Sequence, residues 1–257
     1  MHHTIQTRLQ EIAQQQEVKI VHAIESGSRA WGFPSTDSDY DVRFIYAHRP
    51  EWYLSIDMEN RRDVIEYPVD NDDLDITGWD LRKALVLLYK SNPPLLEWFS
   101  SPIVYATDPV TFGPMQTLAP AYFSPSSCMH HYRRIAEQQY TGYAKGGKRK
   151  LKQYFYALRC ALAYHWIDQG RGIVPMPFAD LVAGVVASPE RQQQIWDLVE
   201  VKRTSRESDS SPHMAEMERY LEAMMDEMET THLTVTHSGG TVDALNAYFR
   251  ASLGTLW

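Results

Sequence analysis

Apolar positions recur with two different periods along this chain, and the change falls near residue 115. Before it, short alternating runs dominate. After it, nearly every apolar residue recurs at helical spacing. Ile5, Leu9 and Ile12 predict an amphipathic helix over 4–16. Lys19 to Ser26, centred on Ile20-Val21-His22-Ala23-Ile24, reads as a first strand. A short helical turn over Ser28 to Gly32 follows Gly27, and Phe33 to Ser38 is a loop of turn formers. Asp39 to Ala47 is the second strand, with Val42, Phe44 and Tyr46 on one face and Asp39, Asp41, Arg43 and Ile45 on the other. A short helix through Trp52-Tyr53-Leu54 comes next. Arg62 to Tyr67 and Leu74 to Thr77 read as further strands, joined by a turn at Asp70 to Asp73.

Asp80 is placed to cap a helix that runs to Tyr89 and turns Leu81, Leu85 and Leu88 inward. Asn92-Pro93-Pro94 opens another element, and Ile103-Val104-Tyr105 is an edge strand. Pro109 and Gly113-Pro114 suit a break, dividing the chain into a strand-and-helix part over 1–112 and a helical part over 113–257. The helical part contains expected helices over 126–145, 148–169, 178–186, 189–202 and 242–253. A further one carries Met214, Met217, Leu221, Met224, Met225 and Met228 on one face, read as adaptable core. Arg203 to Ser211 reads as a polar, serine-rich loop. The fold class expected is α+β followed by an all-helical C-terminal domain.

Composition narrows the function classes. The chain has 257 residues, 44% of them hydrophobic, enough for one large or two modest cores. A net charge of −8 disfavours a protein that grips a long duplex, and is compatible with a short or small acidic substrate bound through metal ions. Cys128 and Cys160 lack ligand spacing and read as reduced, buried thiols. With no signal peptide and no apolar window long enough for a membrane span, the expectation is a cytoplasmic protein.

The chemistry concentrates in Ser26 to Val42. Gly27 permits close backbone approach, and Ser28 offers a hydroxyl and an N–H at the opening of a helical turn, where phosphate is favoured. Ten residues separate Ser28 from Asp39, and Asp41 follows at alternate spacing on the strand. Two carboxylates about 7 Å apart along one strand face repel each other unless a cation joins them. Such a pair, with a third acid and substrate phosphates, suits magnesium or manganese in a two-metal phosphoryl-transfer site. Either half of the motif alone is a common structural feature. Together, in strand–turn–strand order, they point to chemistry.

Apolar strand, Gly-Ser, ten residues, then Asp-x-Asp-apolar resembles the signature of the DNA polymerase β-type nucleotidyltransferases, apart from Ser26 standing where that pattern has an apolar residue. The wording Glu25-Ser26-Gly27-Ser28-Arg29-Ala30-Trp31-Gly32-Phe33, with Ser38-Asp39-Tyr40-Asp41-Val42-Arg43 and Asn92-Pro93-Pro94-Leu95-Leu96-Glu97-Trp98-Phe99, is similar to the RNA-ligase-associated (RlaP-type) branch. The resemblance implies a nucleotidyltransferase palm with a mixed β-sheet, a helical second domain, and a third acid on a neighbouring strand. Asp75 is the choice for that acid, because Leu74 and Ile76 can bury one face while Asp75 turns to the other; Glu66 and Asp73 are rivals. The resemblance also implies that Asp39 and Asp41 hold the metals and that the third acid helps activate the attacking hydroxyl.

Arg29 and Arg43 are candidates for phosphate contacts, with Arg43 alternatively pairing with Asp41, and Glu25 for anchoring either arginine. Lys145, Lys148, Arg149, Lys150 and Lys152 form a basic cluster. Lys152, Tyr156 and Arg159 share one helical face opposite Leu151, Phe155, Leu158 and Leu162. The functional reading of Lys148, Lys152, Tyr156 and Arg159 is a nucleotide clamp; the structural one is a solvated helix face. His130, His131 and His165 have no zinc-site spacing. The activity expected is transfer of a nucleoside monophosphate from a nucleoside triphosphate to a hydroxyl, with pyrophosphate leaving. The acceptor is an RNA, a protein side chain or a small molecule, with RNA repair or end processing the leading context. Protein adenylylation, small-molecule nucleotidylation and a non-catalytic nucleotide sensor are the rivals.

Overall fold

The computed structural model describes residues 1–69, 73–145, 149–207, 209, 214–231 and 239–257. In chain order the elements are α1 (His2–Gln15), β1 (Lys19–Glu25), α2 (Gly27–Trp31), β2 (Tyr40–Ala47), α3 (Pro50–Tyr53), β3 (Val64–Tyr67), β4 (Leu74–Asp80), α4 (Leu81–Tyr89), α5 (Pro93–Trp98), β5 (Val104–Thr107), α6 (Pro109–Leu118), α7 (Pro125–Lys145), α8 (Leu151–Asp168), α9 (Phe178–Val185), α10 (Pro189–Thr204), α11 (Ala215–Thr230) and α12 (Val242–Leu256). They group into two compact units. One comprises 1–27, 39–123 and 238–257; the other comprises 28–38 and 124–237.

The first unit is built on a five-stranded mixed sheet in the order β3-β4-β2-β1-β5. β1 pairs antiparallel with β2 and β5, β3 pairs antiparallel with β4, and β2 pairs parallel with β4. On one face Val42, Phe44 and Tyr46 of β2, Ala23 of β1 and Ile76 of β4 pack under Ile5, Leu9 and Ile12 of α1. Phe44 lies beside Gly78, its register partner, where a Cβ would come within 2.2 Å of the ring. That is why β4 carries a glycine in mid-strand. Asp80 ends β4 and caps α4 through Oδ1, which accepts the Arg82 N–H at 2.8 Å, while Oδ2 accepts the Tyr53 hydroxyl at 2.7 Å. The Gly113-Pro114 pair is not a break. Asp108 caps α6, Pro109 takes its first turn, and Pro114 lies inside it. The expected turn at Asp70 to Asp73 falls largely outside the described residues.

His22 is buried on the sheet face opposite α1. It stacks on Phe112 at 3.6 Å, and Nδ1 lies 3.2 Å from the Thr107 hydroxyl. Burial pushes its pKa down from 6.5 to about 4. A depressed histidine pKa contributes stability that is complete above the unfolded value and is lost as pH falls through 4. Asp80, pushed up to about 6 by burial, works in the opposite sense, contributing below 3.8 and losing its contribution as pH rises through 6. His22→Gln is therefore expected to flatten the loss of stability between pH 6.5 and 4 by up to about 3 kcal/mol. Urea denaturation at both pH values checks this; an unchanged slope in the variant would remove His22 as a cause.

The second unit is helical. α8 packs against α7 and α9, and buries Tyr154, Phe155, Leu158 and Leu162. Met217, Leu221, Met224 and Met228 line the buried side of α11, as the methionine pattern predicts. Phe33 of the 28–38 segment inserts between Phe155 and Phe178, with ring centroids 5.0 and 4.8 Å away. Cys128 and Cys160 are buried and are not joined in a disulfide. Ser208, Ser210 and Ser211 of the polar loop expected at Arg203 to Ser211 lie outside the described residues, and its first two residues continue α10, which extends to Thr204.

Candidate active site

In the first unit the parallel register of β2 and β4 sets Asp75 directly beside Asp41. Paired residues on adjacent strands point to the same face, so both carboxylates emerge on the face opposite α1. Arg43, two residues along β2, lies between them. Its Nη2 donates to Asp41 Oδ1 at 2.9 Å and to Asp75 Oδ2 at 2.7 Å, and its Nη1 donates to the Asp75 and Val42 carbonyls at 2.9 and 3.0 Å. The guanidinium thus offsets part of the repulsion between the two adjacent carboxylates. The three side chains are 18–31% exposed, so the cluster opens to solvent while resting on the sheet.

The sheet also fixes where Asp41 sits. Gly27 has φ +59°, and a Cβ there would fall 2.0 Å from Asp41 Oδ2. Glu25 is completely buried at the end of β1. Its Oε1 accepts the Asp41 N–H at 2.9 Å, and its Oε2 takes a short hydrogen bond from the Tyr105 hydroxyl. The Ser26 N–H donates to the Asp41 carbonyl at 2.8 Å, and the Ser101 hydroxyl donates to the Glu25 carbonyl at 2.6 Å. The sequence marks Glu25 only as an arginine anchor, and Tyr105 only as an edge-strand residue. Removing the Glu25 charge leaves a buried N–H and O–H with a weaker acceptor. Glu25→Gln is expected to lower the unfolding free energy by about 1–3 kcal/mol, read from the urea midpoint. An unshifted midpoint would show that this carboxylate holds nothing in place.

Asp39 is half-buried and immediately precedes β2, which begins at Tyr40 rather than at Asp39. Of the rivals to Asp75, Asp73 is exposed with φ +57° immediately before β4, and its carbonyl accepts the Tyr40 N–H at 2.8 Å. Glu66 lies on the outer strand β3 and pairs with Arg62 at 3.3 Å.

In the second unit, the segment carrying Ser28 and Arg29 folds onto itself and onto the end of α10. The Ser28 hydroxyl lies 3.2 Å from the Ser38 hydroxyl, and Arg29 Nη2 donates to the Ser38 carbonyl at 2.7 Å. Lys202, 2% exposed, donates to the Ser35 hydroxyl at 2.7 Å and stands 5.5 Å from the Phe33 ring centre. Burial pushes its pKa down to about 8. Glu207 accepts the Ser38 hydroxyl at 3.3 Å and Lys152 at 2.7 Å, and its N–H donates to Asp37 at 2.9 Å. The ten-residue spacer of the motif is therefore held by Lys202 and Glu207. Neither was legible beforehand, because a lysine in the last turn of a helix looks like an ordinary dipole partner.

The basic helix face differs from the expected one. Lys152 pairs with Glu207 and Tyr156 meets Trp31 edge-on at 4.7 Å. Arg159 is 3% exposed, not solvated. Its guanidinium lies 4.6 Å from the centre of the Trp31 ring and donates to the Pro175 and Met176 carbonyls at 3.4 Å. A cation–π partner and carbonyls replace its water. Arg149 pairs with Glu218, and Lys148 lies outside the described residues.

Asp41 and Asp75 offer hard carboxylate oxygens on one face, a donor set that fits magnesium or manganese. A single arginine nitrogen already reaches an oxygen of each, which shows that one cationic centre can serve both. Among the described residues no three His, Cys, Asp or Glu side chains converge into a ready metal cluster. His165 Nε2 lies 3.2 Å from the Met224 carbonyl.

Asp41 stands beside Asp75 on a five-stranded mixed sheet, with Gly27 against Asp41, the arrangement expected of a nucleotidyltransferase palm. The chain belongs to the RlaP family, the RNA repair pathway DNA polymerase beta family, whose model it matches over residues 1–251. It is 47% identical over 218 residues to the "Uncharacterized protein YcgL" of Bacillus subtilis (strain 168), a match covering 85% of this chain and 83% of that protein. A solved nucleotidyltransferase-like protein from Exiguobacterium sibiricum shares 9% identity, with a TM-score of 0.33, over 98% of this chain and 78% of its own. At that level the structural likeness adds nothing to the family assignment. Among the described residues no helix is long and apolar enough to cross a membrane.

Proposed function

We propose that the protein transfers a nucleoside monophosphate from a nucleoside triphosphate to a hydroxyl at an RNA end. The observation that supports this most is the parallel register that seats Asp75 beside Asp41, both on Arg43. Asp39, Asp41 and Asp75 would hold divalent magnesium or manganese. When bound, the metal supplies charge neutralisation of the triphosphate and of the departing pyrophosphate. The acceptor oxygen attacks the α-phosphorus, the bond to the bridging oxygen breaks, and pyrophosphate leaves with its electron pair. Asp75 takes the acceptor proton. Arg43 holds the two carboxylates in position before substrate arrives, and Gly27 leaves room for Asp41. Glu25 fixes the Asp41 backbone from the buried side.

RNA is the acceptor favoured by the description of the family to which the chain belongs. The test incubates the protein with each α-labelled nucleoside triphosphate, magnesium or manganese, and either total RNA, total protein or a small-molecule pool. Label is expected on RNA. Label on protein or on a small hydroxyl compound would redirect the acceptor assignment, and intact triphosphate with every acceptor would leave only nucleotide sensing.

A further inference from the structure

A second polar cleft lies in the first unit, on the sheet face that carries α1 and away from the acids. Tyr46 shares its strand face with Val42 and Phe44, whereas Asp41 and Arg43 occupy the other. The cleft encloses about 500 Å³ and is lined by Tyr46, His48, Trp52, Arg61, Arg62 and Tyr67, among others. That volume is within the usual range for small-ligand sites.

Glu66 also lines the cleft, so two guanidinium groups there face one carboxylate. The Tyr46 side chain is fully buried, and its hydroxyl has no hydrogen-bond partner among the described residues. Burial, with Asp80 and Asp63 nearby, pushes that phenol up, so it stays a protonated donor. Those two acids have other partners: Asp80 takes the Tyr53 hydroxyl at 2.7 Å and Asp63 takes Lys83 at 3.0 Å. Arg61 uses Nε for Asp57 at 3.1 Å and Nη1 for the Trp52 carbonyl at 3.3 Å, leaving further N–H groups on its fork. Arg62 is 80% exposed and holds Glu66 only through a long surface pair at 3.3 Å. His48 stacks on Trp52 at 4.0 Å and is pushed down to about 4, chiefly by burial, so the positive charge of the cleft at neutral pH comes from the arginines. A buried orphan donor beside two guanidinium groups calls for an acceptor-rich anion. The lining carries four rings, Tyr46, His48, Trp52 and Tyr67, of which His48 and Trp52 already stack on each other, and this suits contact with a planar ring attached to the anion.

We infer that this cleft is a second ligand site, distinct from the acid cluster, that takes a nucleoside monophosphate group with its phosphate on Arg61 and Arg62. The group comes either from a free mononucleotide or from the terminal nucleotide of a nucleic acid. The site stands independently of the proposed transfer reaction.

Calorimetric titration of the full chain in EDTA tests it with four nucleoside 5′-monophosphates, adenosine, inorganic phosphate and a 5′-phosphorylated tetranucleotide. At least one monophosphate is expected to bind at least about tenfold more tightly than adenosine or phosphate alone. Tighter binding of the tetranucleotide assigns the source to a nucleic-acid end, and tighter binding of the mononucleotide to a free ligand. Arg62→Ala is expected to weaken binding about tenfold, and Arg62→Glu to abolish it. Tyr46→Phe is expected to weaken it about three- to tenfold without lowering the melting temperature, since it removes an unpaired buried hydroxyl. A hydroxyl with a merely structural role would lower the melting temperature and leave affinity unchanged. No binding of any monophosphate at millimolar concentration overturns the site. Binding that survives Arg62→Glu but disappears in Asp41→Asn also overturns it, by assigning the ligand to the acid cluster.

Discussion

Asp41→Asn is expected to reduce nucleotidyl transfer by about 10³-fold or more while leaving the protein folded. The loss follows from the position of Asp41: it lies beside Asp75 and shares a guanidinium nitrogen with it, so a neutral amide there removes one of the few charged oxygens able to hold a divalent ion against the triphosphate. Removal of a single group that stabilises transition-state charge typically costs 10²–10³-fold, and a metal ligand is no weaker a participant. The fold tolerates the change because Arg43 keeps Asp75 and two carbonyls as partners. Single-turnover rates set beside urea midpoints separate the two effects. Asp75→Asn is expected to lose activity comparably, whereas Asp73→Asn and Glu66→Gln, exposed and one turn or one strand removed, are expected to stay near the parent rate. Full activity in Asp75→Asn with loss in Glu66→Gln would move the third acid to the outer strand.

Gly27→Ala carries the second largest expected effect, and it damages both fold and chemistry. At φ +59° an L-residue pays about 1–2 kcal/mol for the left-handed conformation alone. The added Cβ would also lie 2.0 Å from Asp41 Oδ2, so the carboxylate must shift away from its place beside Asp75. Misplacement by about 1 Å can cost about 10²-fold in rate. The variant is expected to lose about 10²-fold in kcat/KM and about 1–3 kcal/mol of stability. Wild-type activity in this variant would mean that Asp41 need not sit where the structure holds it.

Much of the site was legible from local pattern. Alternation along β2 separated Val42, Phe44 and Tyr46 from Asp41 and Arg43, and the same alternation in β4 turned Asp75 away from Leu74 and Ile76. The pairing of Asp75 with Asp41 was not, because no local pattern encodes the register between strands separated by a third element. Glu25 illustrates the same limit. A buried carboxylate is tolerable only with partners, and Tyr105 lies 80 residues away in sequence. Arg159 occupies a helical position that reads as solvated, and Trp31 with the carbonyls of Pro175 and Met176 helps to make its burial possible. Gly113-Pro114 reads as a chain break by propensity, yet Asp108 and Pro109 start a helix strong enough to run through it. Local rules therefore located the motif and its strands, while long-range packing decided which charged groups are buried and with whom they pair.

The central claim is that the acid cluster on β2 and β4 transfers a nucleotide. Its most direct test is pyrophosphate release from each nucleoside triphosphate with RNA present, comparing the parent protein with Asp41→Asn. The account predicts release by the parent protein that requires magnesium or manganese, stops with EDTA, matches the label transferred to RNA, and is lost in Asp41→Asn. Absence of release with all four triphosphates, or equal release from Asp41→Asn, would contradict it.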